Sequence, residues 1–303
     1  MTSTVDTTIF EGGSSFDWET YLRCRPDYRQ SNFYPIIWQY HNSHNGSYDL
    51  AYDVGTGPGN VAEVLASSFE RVEASDMSAF HVSVARQRHK ELANAAFSHS
   101  RAEDLSGDKI ADLVTVAECL PLMEIEKAIS TFRDLLKPGG TLAIWFYGGP
   151  IYTGHDTATS EIQKLHRDIT SRSFDQLRPL KGPTWSTIGS WLDNVALLPG
   201  EWKDVRRVKW NAEYPLGFSE DFKNDMPSAI GSSETMEKIS DPTFWAKDVD
   251  FAWAKGFIDA QIPRKESYLT AEVEIIYAKM EELMGGKEHP ITWPAILILA
   301  TRT

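Results

Sequence analysis

Asp53-Val54-Gly55-Thr56-Gly57-Pro58-Gly59-Asn60 places three glycines within five residues, directly after a strand-like run over residues 48–54. Glycine is needed where a tight turn requires positive φ, and where a Cβ would hold the backbone away from a ligand. Asn60-Val61-Ala62 then opens a helix, whose first N–H groups face an electronegative ligand group. Strand, glycine turn and helix together predict a site for a nucleotide-like molecule. A dinucleotide fingerprint, Gly-x-Gly-x-x-Gly, would need glycine where this chain has Asn60, and a P-loop would need a lysine that the loop lacks. Asp53, at the strand end, repels a pyrophosphate and suits a cationic amino-acid group.

Outward from the loop, strand-like runs recur at 71–76, 112–116 and 141–146, with a short one near 96–100. Helical stretches at 60–67, 79–96 and 124–136 separate them. This alternation predicts an α/β fold, a parallel sheet with helices on both faces. After Gly148 the texture changes to a tryptophan-rich segment broken by Pro and Gly, with helical spacing at 162–177 and 251–262. It reads as a helical cap inserted after the fifth strand. A helix over 271–284, stopped by Gly285-Gly286, precedes a β-rich run at 291–301. The expected organisation is an N-terminal arm and helix over 1–40, a nucleotide-binding core over 41–150, a cap over 151–270, and a final helix and strand over 271–303. The cap lends the core sheet one strand, at about 203–211, and the two late strands are expected to pair antiparallel at the sheet edge.

Three more motifs follow in order. Asp76 closes the second strand about 20 residues beyond the loop, where a carboxylate accepts from both hydroxyls of a ribose; capping the next helix is the alternative, since Asp76 and Ser78 both precede it. Ser100-Arg101-Ala102-Glu103-Asp104-Leu105 is a loop at the carboxyl end of the sheet, where an acidic side chain reaches an adenine amino group. Leu135-Leu136-Lys137-Pro138-Gly139-Gly140-Thr141-Leu142 ends a helix and turns into a strand, an architectural role.

With these motifs in this order, the chain resembles the class I S-adenosylmethionine (SAM)-dependent methyltransferases. Asp53 to Asn60 matches the first motif, Asp76-Met77 the second, Ala102-Glu103-Asp104 the adenine loop, and Ala111-Asp112-Leu113-Val114 the fourth strand. Tyr21, Arg25-Pro26 and Tyr28, with Ile291-Thr292-Trp293-Pro294, resemble the trans-aconitate methyltransferase-like branch. The resemblance implies a Rossmann-like, seven-stranded, mostly parallel sheet with a reversed edge hairpin, and a helical cap. It implies SAM as methyl donor, S-adenosylhomocysteine as product, and a small organic acid or natural product of secondary metabolism as acceptor. The cofactor residues it implies are Tyr21, Asp53, Gly55, Thr56, Gly57, Asn60, Asp76, Met77, Ala102, Glu103, Ala117 and Glu118. One departure stands out: that branch often carries a His-Trp pair after the fourth strand, and here the segment is Ala117-Glu118-Cys119-Leu120-Pro121-Leu122-Met123.

Methyl transfer from a sulfonium is an in-line displacement governed by alignment. A carboxylate acceptor needs no base, whereas a hydroxyl, amine or acidic carbon needs one. Glu118, Tyr147 and His155 are the catalytic candidates, His155 as the nearest histidine to the fifth strand. Arg25, Tyr28, Trp145, Tyr152, Trp185 and Trp191 are candidates for holding the acceptor, Arg25 through a carboxylate and the tryptophans as an apolar wall. O-methylation is expected, with N- and C-methylation open. Two alternatives remain at this point: a rearrangement or cyclisation beside bound SAM, and a non-catalytic regulatory subunit.

Over 303 residues the formal net charge is -13, with no basic cluster, which disfavours nucleic acid and anionic lipid as partners. No apolar run reaches about 18 residues, the length of a membrane span. The acidic N-terminus does not read as a targeting peptide. Two cysteines without metal-ligand spacing suit a reducing compartment. The expectation is a cytoplasmic enzyme, monomer or homodimer, with a small-molecule substrate and no metal.

Overall fold

A computed structural model describes residues 18–31, 33–106, 110–175, 183–212, 226–260 and 270–303. Its centre is an eight-stranded sheet in the order β3-β2-β1-β4-β5-β11-β7-β8. The strands are β1 (Leu50–Val54), β2 (Arg71–Asp76), β3 (Ala95–His99), β4 (Ala111–Ala117), β5 (Leu136–Tyr147), β7 (Trp202–Trp210), β8 (Thr235–Ile239) and β11 (Ala295–Arg302). Only β11 is reversed: it pairs antiparallel with both β5 and β7, and every other pairing is parallel. This is the Rossmann-like, mostly parallel α/β fold expected, with one strand more. β8 continues the sheet beyond β7; its residues Thr-Met-Glu-Lys-Ile are half-exposed or exposed and carry no apolar alternation that reports a strand.

β4 is buried along its whole length, as a parallel strand covered on both faces must be. Its side chains alternate between two cores. Leu113 and Ala117 join one that includes Val61 and Leu65 of α3 (Asn60–Ala66), Phe33 and Ile37 of α2 (Phe33–Ser43), and the aromatic side chains of α8 (Phe251–Asp259). Val114 and Val116 join the other, with Ile129 and Phe132 of α5 (Ile125–Leu135). All five parallel strands from β3 to β5 therefore present their carboxyl ends on one rim, where loops 55–59, 77–78, 100–104 and 118–124 converge.

Two boundaries differ from expectation. Helix α4 (Ala79–Arg88) stops well short of residue 96, because His89 turns its ring onto the glycine loop and Ala95 already begins β3. The β-rich run at 291–301 is two strands, β10 (His289–Thr292) and β11, divided at Trp293-Pro294, where proline has no N–H for a ladder. β10 leaves the main sheet and pairs antiparallel with β6 (Ile151–Tyr152) and β9 (Lys247–Val249) in a second, three-stranded sheet. Helix α9 (Ala271–Met284) has the predicted bounds, with Thr270 accepting from the Val273 N–H and Gly285 closing it in the left-handed conformation. Helices α1 (Trp18–Cys24), α6 (Thr157–Asp175) and α7 (Pro183–Gly189) complete the described elements. No helix among the described residues is long and apolar enough to cross a membrane.

Candidate active site

The glycine loop is tied down from three sides. Ser75, on β2, accepts from the Gly55 and Thr56 N–H groups at 2.8 and 2.9 Å. Asp53 is 1% exposed and lies under the loop, one oxygen accepting from Thr56 Oγ1 at 2.6 Å and the other from Thr115 Oγ1 at 3.0 Å. Burial raises its pKa to about 6 despite both hydroxyls. Behind the loop, Arg88 Nη1 and His89 Nε2 bind the Pro58 carbonyl, and Arg88 also binds Asn60 Oδ1 at 3.0 Å. Two glycines differ in what they make possible. At Gly55 (φ +71) a Cβ would lie 2.3 Å from Cys119 Sγ, so glycine here lets the loop close onto the segment after β4. At Gly57 (φ +54) nothing stands within 4 Å of a Cβ, and the backbone faces open space.

Asp76 is at the head of β2 and 7% exposed. Its carboxylate accepts from the Gly57 N–H at 2.9 Å and the Ser78 N–H at 2.8 Å, with His81 Nδ1 at 3.3 Å. Ser78, not Asp76, caps α4, its hydroxyl accepting from the His81 N–H. Met77 follows, half-buried, its carbonyl held by His99 Nε2. Ala102 and Glu103 lie in a short 3-10 turn, both buried. The Glu103 carboxylate accepts from the Glu124 N–H at 2.7 Å and meets Arg101 at 3.4 Å. Oε1 serves the start of α5, where a carboxylate satisfies an unpaired N–H, and Oε2 faces the Arg101 guanidinium.

Glu118, directly after β4 and Ala117, has φ +65, a conformation that costs a non-glycine residue about 1–2 kcal/mol. The turn brings its Oε1 to 2.6 Å from the Tyr147 N–H while its own N–H donates to the Trp145 carbonyl. Burial pushes its carboxyl well above the usual carboxylate range, with Arg25 acting in the opposite direction. Arg25 Nη1 donates to Tyr147 Oη at 2.9 Å, and Nη2 to the Ala260 carbonyl at 3.2 Å. The guanidinium also lies 5.1 Å from the Tyr21 ring centre and 5.6 Å from that of Phe257. Burial raises the pKa of the Tyr21 hydroxyl, with Arg25 lowering it and Glu118, Asp76 and Cys119 raising it further. Around this centre stands an aromatic wall. Tyr28 packs against Tyr147 and Trp245, and Trp293 against Tyr147, Trp245 and Phe257, all with ring centres 5.3–6.2 Å apart.

Other candidates fall elsewhere. His155 is exposed in the loop before α6, so it faces solvent and not this centre. Trp145 is 1% exposed and packs between Phe33, Tyr34 and Tyr28, a floor beneath the site. Trp191 joins the core on the opposite face of the sheet, with Leu192 and Val195, and the sheet separates it from Tyr147. Tyr152 is buried on β6, its hydroxyl 3.4 Å from His166 Nδ1. The Trp185 side chain lies outside the described residues. Trp245, Trp293, Phe257 and His166 escaped the sequence reading. His166 left a signal in the apolar stripe of α6 with Ile162, Leu165 and Ile169, Phe257 in the helical spacing at 251–262, and Trp293 in the motif at 291–294.

The crevice fits SAM by its own chemistry. Gly57 leaves room for close backbone approach, and the Asp76 carboxylate stands beside it at the head of β2, where it suits a cationic or hydroxyl-bearing ligand. Fold and rim together define a class I SAM-dependent methyltransferase. Residues 51–140 match the profile of a methyltransferase domain. Methyltransferase cfoB of Aspergillus candidus is 38% identical, the match covering 99% of each chain, and methyltransferase pgmE of Aspergillus terreus is 36% identical over 94% of this chain and 93% of its own. A solved structure from Anaeromyxobacter dehalogenans, provisionally assigned as a type II methyltransferase, superposes with a TM-score of 0.60 at 15% identity, covering 92% of this chain and 97% of that one. The chain belongs to the SAM-dependent methyltransferases, and SAM is its cofactor.

Proposed function

We propose that this methyltransferase acts on an oxygen, hydroxyl or carboxylate, of a small organic acid or natural-product intermediate, held between the aromatic wall and the Arg25–Tyr147 pair. The observation that carries the reading is the junction at Glu118, whose strained backbone brings one carboxylate to the Tyr147 N–H beside Arg25. When bound, SAM supplies a methyl group already activated on a sulfonium sulfur. The protein's task is then alignment. Gly55, Gly57 and Asp76 hold the donor side, with Tyr21 above it and Asp53 and Thr56 keeping the loop in shape. Ala117 and Glu118 form the seam between donor and acceptor. Arg25 and Tyr147 bind and orient the acceptor oxygen, and Tyr28, Trp245 and Trp293 bound its apolar body. Glu118 Oε1 is taken by the Tyr147 N–H; its other oxygen receives the proton of a hydroxyl acceptor, and a carboxyl with raised pKa is suited to that. The net charge of -13 supports a small molecule over nucleic acid as acceptor.

Methyl-labelled SAM incubated with hydroxylated aromatic acids and ketones tests the reading. Label should enter at oxygen, with loss of transfer in Glu118→Gln for hydroxyl acceptors and not for carboxylates. Transfer only to nitrogen or carbon would overturn it.

A further inference from the structure

Helix α6 turns one face inward, and polar residues stand among the apolar ones on it. Ile162, Leu165, His166, Ile169 and Thr170 follow helical spacing and are all buried, His166 and Thr170 at 1% exposure each. Four positions apart, these two are neighbours. His166 Nδ1 lies 3.4 Å from Tyr152 Oη, whereas His166 Nε2 and Thr170 Oγ1 have no hydrogen-bond partner among the described residues. Buried polar atoms are almost always paired, and two unpaired ones on adjacent turns of one face call for a ligand. Burial lowers the imidazole pKa to about 3, so the ring is neutral. With Tyr152 donating to Nδ1, Nε2 carries the proton and presents an N–H; the Thr170 hydroxyl donates or accepts. Both suit an oxygen.

Their place links them to the site already described. The His166 ring lies 6.0 Å from the Phe257 ring, and the Arg25 guanidinium lies 5.6 Å from the same ring. One aromatic side chain thus borders both polar groups. We propose that His166 and Thr170 are specificity-determining residues, hydrogen-bonding a second oxygen of the acceptor, a carbonyl, hydroxyl or ether remote from the methylated position. This rests on the reading of the rim as a small-molecule acceptor site. Acceptors bearing two separated oxygen functions are then preferred over those bearing one. A buried water bridging the two atoms is the competing account, and it predicts no change in acceptor kinetics.

The test uses the full chain, labelled SAM, and a panel of mono- and polyhydroxylated aromatic acids and ketones. For the best polyhydroxylated acceptor, His166→Phe and Thr170→Val should each raise KM about 10-fold, with kcat within about twofold and S-adenosylhomocysteine affinity unchanged. His166→Asn and Thr170→Ser should recover most of the loss, which a purely structural role would not produce. Thr170→Val should also raise the Tm of the ligand-free protein; a fall would show a structural bond and overturn the inference. Wild-type KM in both apolar variants would overturn it alone. A wild-type enzyme that methylates no member of the panel would overturn the acceptor-site reading and this inference with it.

Discussion

The donor side and the proposed acceptor side of this crevice are built on different length scales. On the donor side, Asp53 reaches Thr56 three residues away, Gly57 reaches Asp76 over 19, and Thr115 reaches Asp53 over 62. On the acceptor side, Arg25 reaches Tyr147 over 122 residues and Ala260 over 235, and Trp245 donates to the Asp27 carbonyl over 218. The donor side is made from backbone groups and carboxylates at strand ends, whose positions follow once the parallel sheet forms. The proposed acceptor side is made from aromatic side chains gathered from the 28–30 turn, β5, the segment before β9, α8 and the turn before β11. A cofactor common to a family can be met by local geometry, while a particular acceptor is met by contacts that only the closed fold supplies.

Four changes would break or sharpen this contrast. The largest effect belongs to Asp76→Ala, which removes two backbone tethers and the proposed ribose contact; SAM affinity should fall on the order of 100-fold by titration calorimetry. Unchanged affinity would remove Asp76 from the donor side. Next, Arg25→Lys should raise acceptor KM about 10-fold, because a lysine keeps the charge and loses the planar fork. SAM affinity should stay the same, and a parallel loss would show that the two sides are not separable.

Asp53→Asn probes how the donor loop is anchored. The folded-state pKa of Asp53 is raised from 3.8 to about 6, so its neutral form is favoured by folding. The associated stability is present below pH 3.8 and is lost as pH rises to about 6, amounting to about 3 kcal/mol. Denaturant unfolding across that window should slope in the wild type and lose this contribution in the variant, which keeps an acceptor for the threonines but cannot ionise. The smallest effect belongs to His155→Ala, where kcat/KM should remain within about twofold and stability within about 0.5 kcal/mol, as for a surface position. A loss of activity there would reopen the site to the loop before α6.

Most of the parallel core and the cofactor loops were legible because period and punctuation are local signals. Gly55, Gly57 and Asp76 announce themselves by spacing, and the helix over 271–284 by its stripe and its Gly-Gly stop. Side-chain direction was less legible. Glu103 is in the expected loop, yet its carboxylate turns to the start of α5. Trp191 has the composition of a pocket wall and packs behind the sheet. Among histidines, proximity in sequence to β5 favoured His155, whereas the helical phase of α6 buries His166. β8 lacked an apolar alternation and was invisible before the sheet edge existed for it to join.

By itself, then, the sequence determined the α/β class, the glycine turn and the acidic strand ends, and through them the cofactor. Those depend on backbone conformation and on residues near each other along the chain. Which aromatic rings face Arg25, what Glu118 touches, and which histidine lies inside were decided only by tertiary structure. Each of these depends on packing between separate elements, up to 235 residues apart for Arg25 and Ala260, and no local pattern encodes the side from which a neighbour arrives.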